Sequence, residues 1–250
     1  MNPPALEARD LRFTYPDGTP ALRGLSFEVA EGDAVGVVGG NGAGKSTLLM
    51  HLTGILLPTD GEVRVGGVGV DRTTVARVRQ AVGMVFQDPD DQLFMPTVFD
   101  DVAFGPLNHG VPAPEIDGRV RTALECVGMG HLRDRPPHRL SGGEKRSVAI
   151  ATVLAMRPGV LVMDEPSSNL DPRARRRLIG WLQGFTATRV IATHDLELVV
   201  ESCDRVLVLD HGELVAAGPA REILGDAALM DRHGLESPHI LRHLHPHPGP

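Results

Sequence analysis

Short apolar segments punctuated by glycine, proline and aspartate run along this chain, and their period divides it into three regions. Near the start, ALEARDLRFTYPDG, LSFEVAEG and GEVRVGGVGV alternate apolar and polar positions, which predicts short antiparallel strands. Among them, GDAVGVVG is a continuous apolar run of strand length. A glycine-rich loop follows it, then STLLMHLTGIL, in which Leu48, Leu49, Leu52 and Ile55 fall on one side of a helix. From about Asp88 to Arg157 the pattern becomes helical, broken by loops such as NHGVPAPEIDG and RDRPPH, and predicts an inserted helical subdomain. From Gly159 onward VLVMDEP, TRVIATHD and DRVLVLDHG alternate with helices, as in a parallel sheet covered by helices. The expected fold is α/β, with a domain over residues 1–238 and a His- and Pro-rich tail, 239–250, that frays. No internal repeat is found.

Composition narrows the class. A chain of 250 residues builds one large α/β core with an insertion, not two independent domains. Its 42% hydrophobic and 23% charged content suits a soluble globular chain, and no apolar run approaches the roughly 18–20 residues of a membrane span. MNPPALEARD has neither basic nor apolar leader regions, and Cys126 and Cys203 make no disulfide framework, so a cytosolic location is expected. A net charge of −7 argues against nucleic acid as a partner. The one basic cluster, Arg173, Arg175, Arg176 and Arg177, reads as the solvated face of a helix.

Candidate chemistry centres on GGNGAGKST. Gly39, Gly40, Asn41, Gly42, Ala43 and Gly44 form a small-residue turn whose backbone can wrap phosphates, and the apolar strand before it and helix after it are the context such a loop requires. Lys45 is one of only two lysines against twenty-three arginines; its flexible ammonium reaches β- and γ-phosphates where a guanidinium fork would not fit. Ser46 is expected to ligate Mg²⁺ through its hydroxyl, with Thr47 beside it at the helix start. Asp164 and Glu165 end a parallel strand, where such sheets bind ligands. Asp164 is the expected metal holder and Glu165 the acceptor of a proton from the attacking water; the alternative is an ordinary surface turn. In LSGGEK, Ser141 and Glu144 fit a capping box, but Gly142 and Gly143 cost about 1 kcal/mol each in a first helical turn. They make sense if a second phosphate approaches there, which suggests a head-to-tail dimer enclosing two nucleotides.

With these motifs in this order, the chain resembles the ATP-binding subunit of an ABC transporter over nearly its full length. The resemblance implies a P-loop NTPase fold with a RecA-like parallel core, an antiparallel β subdomain and an inserted helical subdomain. It also implies Mg²⁺-dependent ATP hydrolysis coupled to transport, and a second ATPase subunit, identical or related. By the same resemblance Tyr15 stacks on adenine, Gln87 sits near Mg²⁺ and water, Ser167 to Asp171 couples the two sites, and His194 contacts the γ-phosphate. Tyr15 also has a sheet-packing reading beside Leu11 and Phe13. Glu144 and Ser168 stand where relatives often carry glutamine and alanine, and neither change removes a group needed for hydrolysis.

FQDPDDQLF, TVFDDVAFGPLNHG and HGLESP are similar to ATPases of energy-coupling-factor importers, above all those for cobalt and nickel. That likeness implies a transmembrane coupling subunit docking near Gln87 to Phe94, a substrate-capturing membrane component, and a place at the cytoplasmic face of the membrane. Asp88, Asp90, Asp91, Asp100 and Asp101 would meet arginines of the coupling subunit, with Leu93 and Phe94 as apolar anchors. In the tail that begins at His239, the alternation His243, His245, His247 offers imidazoles to Ni²⁺ or Co²⁺, or forms a polar tail without a role. An exporter ATPase, or an ABC ATPase outside transport, would carry the same catalytic motifs.

Overall fold

The computed structural model describes residues 3–242. Three strands open the chain: β1 (Leu6–Thr14), β2 (Pro20–Val29) and β3 (Ala34–Val38). Helix α1 (Lys45–Leu52) follows the glycine loop, then β4 (Asp60–Val65), β5 (Val68–Gly69), α2 (Val75–Ala81) and β6 (Val82–Val85). A helical stretch contains α3 (Val98–Asn108), α4 (Ala113–Cys126) and α5 (Gly142–Leu154). The chain then alternates β7 (Val160–Asp164), α6 (Pro172–Gly184), β8 (Thr188–Ala192), α7 (Leu196–Ser202) and β9 (Arg205–Asp210). It continues with β10 (Glu213–Pro219), α8 (Ala220–Gly225), α9 (Ala227–Arg232) and α10 (His239–Arg242).

Two sheets result. Strands β2, β1, β4 and β5 form an antiparallel sheet in that order, as their alternation predicts. The second sheet has the order β10-β9-β3-β8-β7-β6, parallel from β9 to β6, with β10 antiparallel at one edge. Helices and the first sheet bury both of its faces, which is why its strands read as unbroken apolar runs. Successive side chains on a strand point to opposite faces, so the runs feed two cores in turn. Val35, Val37, Val162, Val190 and Leu207 join α1 and the antiparallel sheet in one. Val38, Leu161, Met163, Ile191 and Val206 join helices α5 to α8 in the other. A third core, built on Val98, Val102, Ile116, Val120 and Val148, ties α3, α4 and α5 into a helical layer.

Several expectations change. Helix α1 stops at Leu52, so Ile55 lies beyond it and is exposed. Strand β6, drawn from AVGMVFQ, extends the parallel sheet although it precedes the helical layer; four apolar residues are too few to show a period. His239 to Arg242 form a helix rather than fraying, and Leu241 packs against the second core. His243, His245 and His247 lie outside the described residues.

Candidate functional site

Strand β3 delivers the glycine loop to the carboxyl edge of the parallel sheet. Gly39, at φ +157°, passes so close to β9 that an added Cβ would stand 2.2 Å from the Leu209 carbonyl oxygen. Gly44, at φ +100°, would bring one to 2.8 Å from the Ala21 carbonyl oxygen. Gly40 and Gly42 instead face open space, leaving the outer side of the turn accessible to a phosphate. Within the loop the Ala43 amide donates to the Gly40 carbonyl at 3.2 Å, and Asn41 is exposed at the tip. Gly44 caps α1 without a side-chain bond, so the first-turn amides at Ser46 and Thr47 are left to an anion. The buried Lys45 Nζ donates to the carbonyls of Gly39 at 2.9 Å and Gly40 at 3.0 Å, poised to exchange them for phosphate oxygens. Tyr15 stands just past β1, its hydroxyl 3.0 Å from Thr47 Oγ1 and its ring edge-on to Phe13 at 5.0 Å. It therefore packs with the sheet and also touches the loop.

Asp164 ends β7 beside this loop. It is 4% exposed, and its Oδ1 is buried with no hydrogen-bond partner. Burial raises its pKa above the ordinary carboxylate value, and Glu165 adds to the rise; the Ser46 hydroxyl, Lys45 and Arg146 oppose it. A buried carboxylate with one bare oxygen and a serine hydroxyl interacting with the same group fits a hard divalent cation such as Mg²⁺.

Glu165 occupies a left-handed backbone conformation, φ +45°, that turns its side chain back toward β8. Thr193 Oγ1 donates to its Oε2 at 2.9 Å, and the His194 amide donates to both oxygens at 3.1 and 3.2 Å. His194 Nδ1 lies 2.8 Å from Oε2, on a ring whose side chain is 70% exposed. One carboxylate is thus fixed in a donor cradle at the sheet edge, with an exposed imidazole as its outer partner. Sequence reasoning missed Thr193, whose hydroxyl also accepts from the Asp195 amide at 3.0 Å.

Gln87 lies after β6, exposed, and its carbonyl accepts from Arg146 Nη2, while Arg146 Nη1 donates to the Phe86 carbonyl at 2.6 Å. Lys145 Nζ pairs with Asp90 at 2.6 Å, and Gln92 Nε2 donates to Ala149 and Thr152. The segment after β6 is therefore fastened to α5 along three successive turns, which the sequence did not reveal. Ser141 and Glu144 form the complete capping box at the start of α5, and the Ser141 amide and hydroxyl hold the Glu144 carboxyl below its usual pKa. Gly142 and Gly143 have no positive φ, and an added Cβ would meet nothing closer than 3.8 Å. Nothing in the described residues of this chain demands glycine there. Ser167 to Asp171 links Glu165 to α6: the Ser168 amide donates to the Glu165 carbonyl, and Asp171 caps α6.

Three surface assignments are corrected. Asp101 is buried, with Oδ1 accepting the Phe94 and Met95 amides at 3.0 Å, and Leu93 is buried in the helical core, so neither is available to a partner. Arg175 is no solvated cation: it grips Asp195 through two bonds of 2.7 and 2.9 Å.

A family model described as ABC transporter matches residues 22–168, from β2 through Asp164 and Glu165. The chain belongs to the ABC transporter family. It is 50% identical, across 93% of its length and 76% of the relative's, to the energy-coupling factor transporter ATP-binding protein EcfA of Methanothermobacter thermautotrophicus. Among solved structures it resembles cbiO1 of Clostridium perfringens, part of the ABC transporter complex cbiONQ, with TM-score 0.82, 38% identity, and 96% and 98% of the two chains covered. It also resembles a dimer of the ATP-binding cassette MJ0796 bound to ADP and Pi, with TM-score 0.78, 26% identity, and 86% and 98% covered. The fold is the P-loop ATPase fold of ABC cassettes, and the chain is an ATPase that uses ATP with Mg²⁺ and whose hydrolysis is coupled to transport.

Proposed function

We propose that this ABC ATPase powers import through an energy-coupling-factor complex at the cytoplasmic face of the membrane, with cobalt or nickel as the cargo. The observation that carries the reading is likeness along nearly the whole chain to EcfA and to cbiO1. A surface suited to a membrane partner adds to it. Phe94, Phe104 and Leu107 are 62%, 43% and 54% exposed, with the two phenylalanine rings 5.1 Å apart. Asp88 and Asp91 are exposed in the same segment of chain as Phe94, so an arginine-bearing helix with apolar flanks is the complementary partner.

In this proposal the loop from Gly39 to Thr47 cradles the phosphates of ATP, Lys45 neutralises their β/γ oxygens, and Tyr15 flanks the base. Ser46, Asp164 and Gln87 hold Mg²⁺, which supplies charge neutralisation at the phosphates. Glu165 takes the proton from the attacking water, while Thr193 and the His194 amide keep its carboxylate oriented and the His194 imidazole shields it. Ser141, Gly142 and Gly143 close over the nucleotide of a second ATPase subunit; the unexplained freedom of both glycines supports a contact from outside the chain. Closure around two ATP molecules bears the force, and hydrolysis resets the machine.

The test is recovery of the tagged chain from its native membranes in mild detergent, with mass spectrometry of its companions. A small substrate-capturing membrane protein together with a coupling subunit, carrying bound Co²⁺ or Ni²⁺, is the expected result. An exporter-like membrane domain as the companion contradicts import.

A further inference from the structure

The arginines of α6 part ways in the fold. Arg173, Arg176 and Arg177 are exposed, whereas Arg175 is half-buried against the loop between β8 and α7. Its Nε donates to Asp195 Oδ2 at 2.7 Å and its Nη2 to Oδ1 at 2.9 Å, a fork that a lysine does not reproduce. With side chains 26% and 19% exposed, the pair is screened less than a surface pair. Oδ1 also accepts the Leu198 amide at 2.9 Å, at the start of α7. Burial works against the charge on Asp195, yet Arg175, the Leu198 amide and Ser167 hold its pKa below the ordinary carboxylate value.

The backbone of Asp195 reaches the site itself. Its amide donates to Thr193 Oγ1 at 3.0 Å, which fills a lone pair of that oxygen and turns the hydroxyl hydrogen to Glu165 Oε2, 2.9 Å away. Among the described residues the ion-pair partners of Arg175 are Asp195 and, at 3.6 Å, Glu201, so Arg175 acts on Glu165 through Asp195 and Thr193.

We propose that Arg175 is a positioning residue for ATP hydrolysis: by clamping Asp195 it holds the Thr193 hydroxyl in the orientation that fixes the Glu165 carboxylate toward the attacking water. The proposal rests on the reading of Glu165 as the acceptor of that water's proton.

A double-mutant cycle in steady-state hydrolysis of Mg²⁺-ATP by the full chain tests it. Arg175→Gln is expected to lower kcat about tenfold, as for a displaced catalytic group, with the KM for ATP within about twofold of wild type. Thr193→Val, which removes the hydroxyl at nearly unchanged shape, is expected to do the same. The double variant is expected to match either single one within about twofold, because both cut the same chain of bonds. A wild-type kcat in Arg175→Gln, with only the melting temperature lowered, reduces the clamp to a fold contact and overturns the proposal. Losses that multiply to about a hundredfold in the double variant also overturn it, since Arg175 then acts by another route. Should Arg175→Gln fail to fold, Arg175→Lys keeps the charge, loses the fork and carries the same cycle, with kcat lowered about threefold. Glu165→Gln in the same assay separates the two readings. Its turnover at the wild-type rate removes the base assignment and with it this proposal, whereas its loss of turnover beside an unaffected Arg175→Gln overturns the proposal alone.

Discussion

A carboxylate held in a protein interior with a bare oxygen costs stability until a cation reaches it. Asp164 is such a group, and its burial sets a prediction at the scale of one residue. Because the folded pKa is raised, the folded chain holds the proton more tightly than the unfolded one. The ionisation penalty is therefore absent below the unfolded-state pKa and complete above the folded-state value. Without Mg²⁺ at pH 7, Asp164→Asn is expected to unfold at a higher temperature than wild type, with the gain shrinking as the pH falls through the Asp164 pKa. Added Mg²⁺-ATP is expected to stabilise wild type more than the variant; a variant no more stable than wild type at pH 7 contradicts the account. Lys45, Ser46, Asp164 and Glu165 were legible because phosphate and metal chemistry need those residue types beside a strand end. Thr193 was not, since its hydroxyl reaches Glu165 across 28 positions and a threonine after a strand has no local signature.

Elements meet at positions where only glycine fits. Gly83 in β6 lies under α5, and an added Cβ would stand 2.2 Å from Val153 Cγ1 and 3.0 Å from Pro158 Cγ. Val153 is β-branched and Pro158 cyclic, so neither can swing aside. Gly83→Ala is expected to destabilise the fold by about 1–3 kcal/mol through overpacking, measured as a lower urea midpoint at unchanged m-value. A midpoint equal to wild type would mean that α5 rides more loosely on the sheet than the structure shows. The start of α5 was readable from the Ser141–Glu144 spacing, since a capping box is local. The fastening of the segment after β6 was not, because Arg146 reaches Phe86 across 60 positions and an arginine in a helix looks solvated until its contacts are known. The same blindness hid the grip of Arg175 on Asp195.

At the scale of the whole molecule, the parallel order of the sheet gathers the Gly39 loop, Asp164, Glu165 and His194 at the carboxyl ends of β3, β7 and β8. The start of α5 belongs to the helical layer, and its open glycines are proposed to meet the nucleotide of another subunit. Strand polarity and the helical insertion were readable from hydrophobic period, whereas the proposed docking face was only half readable: acidic residues were visible, but burial removes Asp101 and Leu93 from it. Phe94→Asp is expected to lower recovery of the chain with its membrane partner at least tenfold; undiminished recovery moves the docking face elsewhere. Glu165 is proposed to drive hydrolysis inside a dimer closed around two nucleotides. Glu165→Gln, mixed with Mg²⁺-ATP and followed by size-exclusion chromatography and phosphate release, tests it most directly. The account predicts retained ATP binding, a persistent dimer and phosphate release cut by at least about a hundredfold, in the range of losing a general base. A variant that remains monomeric with ATP, or that turns over at the wild-type rate, contradicts it.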